Sequence, residues 1–495
     1  MAALPKVLVY GAGQLFQDFV GLISAHFEIV SIVETHPKQT AIGEYSIISV
    51  DDIHTVEWSM VIVASNFLSA ISDELLKRNV DHESIKALHE IPEIVVAANA
   101  YVTAASRAMQ PISSANSSAT KIRFVINSLG AGGAEKSLLS LIAQLSQTSH
   151  SVTVLSLFDN NHYRDQFPDY IDLVCLSDFA TNQNVVRLAL RMADSKLINQ
   201  WFGEQSYDLD IAYLEGWATK VVAYSQAHRT IAWCHTNLQT NHWTQNYCFA
   251  DCYAEQDCYA AFNDIVFVSQ DAKDGFNQLF NNSVKQQVIA NYIGVDAASQ
   301  RHQSNSAIPH FFSVGRLAKV KGYDRLLNAC KALHDHDLAF QLTLFGDGPE
   351  REALQQQAIK LGIDTKVVFA GFVEDPFVQA RDCDCFISAS YTEGHPLAVA
   401  EALLTGFPVI ATNCGGNSEI LDAGESGLLI DNSEAGLFSG LSQFCSDKAL
   451  SNKLTEASRH AQIHQSNQSV LAKIFALLEV SGTEPLHEVE FSEAN

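Results

Sequence analysis

The sequence predicts a parallel, doubly wound α/β architecture repeated three times along the chain. Three short apolar runs, residues 6–10 (KVLVY), 121–127 (KIRFVIN) and 310–314 (HFFSV), each lead into a glycine turn and then a helix-like stretch. Further short apolar runs alternate with helical patterns behind each of them, which is the signature of strands joined by crossover helices. A chain of 495 residues has room for two to four domains.

In the first unit, residues 6–10, 27–33 and 60–64 read as strands, and the unit reaches about residue 100. Gly11 and Gly13 follow the first strand, and Glu34 ends the second at a spacing that suits a ribose contact. Phe16 stands where a dinucleotide fingerprint has its third glycine, so that motif is incomplete. Residues 113–120 (SSANSSAT) are the clearest linker in the chain.

The second unit opens with residues 121–127, the loop Gly130, Ala131, Gly132, Gly133, and a helix over 134–145. Residues 151–156, 209–213, 230–233 and 264–269 are its further strands. The third opens at 310–314, with later strands at 341–345, 367–370, 385–388 and 407–411. The expected boundaries are 1–105, a linker over 106–120, domains over 121–300 and 301–470, and a terminal helix and acidic tail over 471–495.

Composition narrows the partners. Hydrophobic content of 47% fits an ordinary globular protein, and no uncharged apolar run reaches the roughly 18 residues of a membrane span. Residues 1–5 run straight into a strand, so no signal peptide is expected. Ten cysteines without paired spacing suit reduced thiols in a cytoplasm. A net charge of −25 argues against nucleic acid as a partner.

In open parallel sheets, ligands sit beyond the C-terminal strand ends. Arg316 and Lys321 follow the third unit's first strand and offer two cations near a helix start, a suitable clamp for a diphosphate. Residues 345–351 (FGDGPER) make a tight loop opening a helix, and Gly371 and Phe372 follow another strand where backbone groups can read a base edge. The densest signal is YTEGHPLAVAEALLTGFPVIAT, residues 391–412, followed by Gly415, Gly416 and Glu419. Pro396 suits the first turn of a helix and Gly406 its end. Glu393 and Glu401 are separated by seven residues. On one helix they would stand roughly 12 Å apart, beyond the 5–9.5 Å of a glycosidase pair and suited to two contacts on one elongated ligand.

Taken in order, these pieces resemble the retaining glycosyltransferases of family 4, with the two-domain GT-B fold, over residues 121 to about 470. The resemblance implies two Rossmann-like domains facing a cleft, with a nucleotide diphosphate-sugar held mainly by the third unit. It implies Arg316 and Lys321 at the diphosphate, Glu401 at the ribose, Glu393 at the donor sugar, and the N–H groups of Gly394, His395 and Leu397, in the segment that also holds Pro396, facing phosphates. The loop of Gly130, Gly132 and Gly133 would face the diphosphate and acceptor. His235 resembles a cleft histidine of relatives that would touch the donor sugar or acceptor, with a structural hydrogen bond as its other reading; Glu393, His235, Lys321 and Arg316 are the catalytic candidates that the resemblance implies. No metal cofactor is implied, and the acceptor would be a glycan or a lipid-linked sugar at the inner membrane face. The N-terminal unit resembles the small Rossmann-like domain before some bacterial sugar acyltransferases.

Other patterns have plainer readings. Asp382 and Asp384 look like a metal-binding pair but precede a strand, the wrong end for ligands. Cys248, Cys252, Cys258 and His242 lack zinc-site spacing. Residues 185–202 carry Arg187, Arg191 and Lys196 among apolar side chains; a helix covering the sheet is favoured over a membrane-surface helix. Rival functions are a GT-B nucleotide-sugar epimerase, a nicotinamide-dependent oxidoreductase using the first unit, and a sugar-nucleotide sensor.

Overall fold

A computed structural model describes residues 4–479, except 110–118, 147, 149, 159–161, 204–206, 246, 250, 296–299, 303–305, 307, 394–395, 462 and the side chains of 464–466. Most of the expected linker and the acidic tail lie outside the described residues.

The chain forms three sheets in series. The first contains β1 (Lys6–Tyr10), β2 (Glu28–Glu34), β3 (Ala41–Ile42), β4 (Tyr45–Ser49), β5 (Met60–Val63) and β6 (Ile85–Ala87), in the order β3-β4-β2-β1-β5-β6. The second contains β7 (Lys121–Ile126), β8 (Ser151–Ser156), β9 (Asp172–Cys175), β10 (Leu209–Ala212), β11 (Arg229–Cys234), β12 (Asp264–Phe267) and β13 (Lys285–Val288), in the order β13-β12-β11-β10-β7-β8-β9. The third contains β14 (His310–Val314), β15 (Gln341–Phe345), β16 (Val367–Gly371), β17 (Cys385–Ser388), β18 (Val409–Thr412) and β19 (Leu428–Ile430), in the order β16-β15-β14-β17-β18-β19. Among these pairings only β3 with β4 is antiparallel. Central strands such as β7, β10 and β17 are buried nearly throughout, which is why they read as continuous apolar runs.

The first sheet is not a detached module. Its helix Pro92–Ala108 packs on helices Gln183–Met192 and Ser195–Phe202 of the second domain. Val185, Val186, Leu188, Ala189, Ile198, Trp201 and Phe202 share one apolar cluster with Phe16, Phe19, Ala98 and Val102. Trp201 donates Nε1–H to Thr103 Oγ1 at 2.8 Å, and Asn184 donates Nδ2–H to Asp18 Oδ2 at 2.5 Å. The favoured reading of 185–202, one helix covering the sheet, becomes two helices whose apolar side chains pack in one cluster with the core of the second domain and with the N-terminal domain. Phe16 is buried there too, T-shaped against Tyr45 at 5.9 Å, so the missing third glycine is a core position.

The terminal helix expected from residue 471 spans Ile463–Leu478. Val470, Ile474, Leu477 and Leu478 return to the core of the second domain, and Arg229 donates to the Leu477 carbonyl at 2.7 Å. The last helix therefore ties the third domain back to the second.

Candidate active site

The second and third sheets each reverse strand order at one place, between β7 and β10 and between β14 and β17. Loops leaving neighbouring strands at such a point diverge and open a crevice. The two crevices face each other across one cleft of about 830 Å3. Its lining includes Gly130, Gly132, Gly133, His235, Arg316, Lys321, Phe372, Glu393, Pro396, Leu397 and Glu401. Gly371 stands one residue behind the lining, and Gly394 and His395 lie outside the described residues.

On the third-domain side, the β14 loop brings Arg316 and Lys321 to the crevice. Gly322 ends that loop at φ 65°, and a Cβ there would come within 2.1 Å of the Ala389 carbonyl oxygen. Only glycine lets the β14 and β17 loops meet so closely. Lys321 Nζ donates to Glu393 Oε1 at 2.5 Å, and Ser390 Oγ donates to the same oxygen at 2.5 Å. Burial presses the Lys321 ammonium down, but the Glu393 carboxylate outweighs it and holds the group above its ordinary value. Gly416 N–H donates to the Glu393 carbonyl at 3.0 Å, and a Cβ on Gly415 would approach that carbonyl to 2.7 Å. The glycine pair after β18 thus holds the Glu393 backbone from behind.

The carboxylates do not share a helix. The helix is Leu397–Leu404 with Pro396 at its N-cap, so Glu393 lies in the preceding loop and the one-helix spacing does not apply. Glu401 is on that helix, 6% exposed. It pairs with Lys136, on helix Gly133–Leu145 of the second domain. Phe372 is 43% exposed and meets the His162 ring edge-to-face at 4.1 Å, also from across the cleft.

On the second-domain side, Gly132 caps helix Gly133–Leu145, and Glu135 folds back over it: a Cβ on Gly132 would lie 2.1 Å from Glu135 Oε2. Burial pushes the Glu135 carboxyl up to about 7, with Glu215 adding to the rise and Arg316 opposing it. Glu215, 1% exposed, accepts from the His235 N–H at 2.9 Å and from Trp243 Nε1 at 3.3 Å. Asn291 Nδ2 lies 3.4 Å from His235 Nδ1. His235 therefore lines the cleft and is also held by structural contacts. Lys136, Glu135, Glu215 and His162 were not singled out from sequence; the first two lie just beyond the glycine loop that was.

The two domains also touch away from the lining. Glu419 accepts from the N–H groups of Asp271 at 3.0 Å and Gln270 at 3.2 Å, capping helix Gln270–Leu279. Asp382 bonds His302, and Asp384 accepts from the His310 N–H and pairs with Arg301, all away from the cleft lining. Cys248 and Cys258 are buried and Cys252 is exposed; Cys248 precedes helix Cys252–Ala260, so it does not share a helix face with Cys252. All ten cysteines are free thiols. Among the described residues, no three His, Cys, Asp or Glu side chains gather as a metal site, and no helix is long and apolar enough to cross a membrane.

Residues 295–461 match a family model described as glycosyl transferases group 1, and residues 3–86 match one described as C2185-like, N-terminal. The lipopolysaccharide core biosynthesis glycosyltransferase LpsE of Rhizobium meliloti is 30% identical over 200 residues, 39% of this chain and 56% of that protein. The 2-deoxystreptamine N-acetyl-D-glucosaminyltransferase of Niallia circulans is 29% identical over 174 residues, 32% of this chain and 43% of that protein. The chain thus spans about half the length of the curated relatives it matches. The solved structure of Anabaena Alr3699/HepE in complex with UDP and glucose covers 72% of this chain and 100% of its own, with TM-score 0.56 and 22% identity. That of TarM covers 72% and 98%, with TM-score 0.59 and 12% identity. The chain therefore shares the GT-B fold of these structures, two Rossmann-like domains facing a cleft, preceded by a small Rossmann-like domain.

Proposed function

We propose that the chain is a retaining glycosyltransferase that moves a hexose or N-acetylhexosamine from a nucleotide diphosphate-sugar to a glycan or lipid-linked acceptor in polysaccharide biosynthesis. The observation that carries this reading is the convergence of Arg316, Lys321, Glu393 and Glu401 on one interdomain cleft at two topological switch points. Relatives named for lipopolysaccharide core and colanic acid biosynthesis support it, as does the UDP and glucose in the HepE structure.

In this reading Glu401 accepts from the ribose hydroxyls and Glu393 from a hydroxyl of the donor sugar. Arg316 and Lys321 face the diphosphate. Transfer breaks the bond between the sugar's anomeric carbon and the β-phosphate oxygen. The acceptor oxygen bonds that carbon on the same face, and its proton passes to the departing phosphate oxygen. Charge that develops on the leaving diphosphate is met by the two cations and by the N–H groups at the start of helix Leu397–Leu404. No metal cofactor is needed for this step. Glu135 and His235 line the cleft from the second domain, the side that would receive the acceptor. The enzyme would act in the cytoplasm, at the inner face of the membrane when its acceptor is lipid-linked.

The test is to incubate the purified chain with a panel of nucleotide-sugars and follow nucleoside diphosphate release. Release from one donor, lost in Glu393→Ala and Lys321→Ala, supports the reading; release unchanged in both variants overturns it. Proton NMR of the product's anomeric signal then reads retention against inversion.

A further inference from the structure

Three cations line the cleft: Arg316 and Lys321 from the third domain and Lys136 from the second. Lys136 is in the first turn of helix Gly133–Leu145. A cation there opposes the helix dipole, whose N-terminal end favours anions. Its ammonium is paired with Glu401, whose side chain is 8% exposed. A buried carboxylate needs a counter-charge, and Lys136 supplies it from the opposite domain.

The pairing conflicts with the role given to Glu401. If ribose hydroxyls donate to that carboxylate, the ammonium loses part of its partner. At that moment a diphosphate, joined to the same ribose, stands close by. The lysine stem is long and flexible enough to follow it, and an ammonium binds phosphate as a point charge with little angular demand.

We propose that Lys136, paired with Glu401 across the cleft, is a donor-phosphate ligand contributed by the second domain, and that it exchanges from Glu401 onto the diphosphate when a nucleoside diphosphate binds. This rests on the nucleotide-sugar reading of the cleft. The exchange replaces one bridge between the domains by another: Lys136 to Glu401 before binding, Lys136 to diphosphate to Arg316 and Lys321 after it. The donor then helps to hold the two domains together. The Glu419 cap on helix Gln270–Leu279 is independent of the exchange.

The experiment titrates the full chain with UDP, ADP, GDP and CDP by calorimetry, and measures each parent nucleoside by competition. Lys136→Gln is expected to weaken the best diphosphate about tenfold or more, the loss of one charge-assisted hydrogen bond. The same variant binds the parent nucleoside as well as wild type or more tightly, because nothing competes for Glu401. Lys136→Arg keeps diphosphate affinity within about threefold. Equal weakening of diphosphate and nucleoside, or no change in either, overturns the inference while leaving the cleft reading intact. If no diphosphate binds wild type, the cleft reading fails and the inference with it. Should Lys136→Gln fail to fold, the double variant Lys136→Gln, Glu401→Gln is compared with Glu401→Gln. A ratio of diphosphate to nucleoside affinity about tenfold lower in the double variant supports the exchange, and an equal ratio overturns it.

Discussion

Lys321 and Glu393 stand 2.5 Å apart, nitrogen to oxygen, at the switch point of the third sheet. Two groups assigned from sequence to different parts of one ligand are thus each other's nearest charge. The Glu393 carboxylate favours the charged Lys321 ammonium and each holds the other in position, so loss of either disturbs both. Glu393→Gln retains shape and removes the charge. Nucleotide release from the preferred donor is expected to fall about 100-fold or more, the scale of losing one preorganised electrostatic contact. Steady-state kinetics on the folded variant checks this, and a fall under about threefold would remove Glu393 from the mechanism.

Gly322 makes the neighbouring loop contact available. Gly322→Ala places a methyl against the Ala389 carbonyl and forces a residue with a side chain to φ 65°. The backbone strain alone is on the order of 1–3 kcal/mol, and the clash displaces the loop that carries Lys321. The expectation is a lower melting temperature together with weaker diphosphate binding. A variant with wild-type values for both would contradict the loop geometry.

Glu135 carries a pH signature. Its carboxyl holds a proton up to about 7 in the folded chain, against an ordinary value of 4.5, because burial disfavours the charge. The folded state binds that proton more tightly than the unfolded state does. Its contribution therefore favours folding at low pH and is lost as pH rises from about 4.5 to about 7. Glu135→Gln stays neutral throughout. Its melting temperature relative to wild type should rise from about pH 5 to about pH 8, then level off. A flat difference across that window would mean the carboxyl is not desolvated as described.

The N-terminal domain covers an apolar face. Removing residues 1–108 bares the side of helices Gln183–Met192 and Ser195–Phe202 that packs on helix Pro92–Ala108, where Trp201 meets Thr103. The truncated chain is expected to bind a hydrophobic dye and to self-associate on a sizing column. A monodisperse truncation with an unchanged melting temperature would show that the interface contributes little.

Strands at the centre of each sheet were legible because burial on both faces leaves them apolar end to end, as in β7 and β17. Strands β3, β4, β6, β9, β13 and β19, all at or next to a sheet edge, were missed: β13 is KQQV and half exposed, and β3, β6 and β19 are two or three residues long. The third-domain site was legible because its groups crowd into short loops after strands. Lys136 was not, since its partner Glu401 belongs to another domain and only the folded chain brings them together. Residues 185–202 show the same limit from the apolar side. An amphipathic pattern states that a face is buried, and nothing local states whether a lipid or a neighbouring domain buries it.

The most direct test of the cleft assignment is calorimetric titration of UDP, ADP, GDP and CDP into the full chain, Arg316→Ala and Lys321→Ala. The account predicts saturable binding of at least one diphosphate to the full chain and its loss, tenfold or more, in each variant. Binding that is equally strong in both variants would contradict it and move the nucleotide site away from the cleft, with the glycine turn of Gly11 and Gly13 the next place to probe.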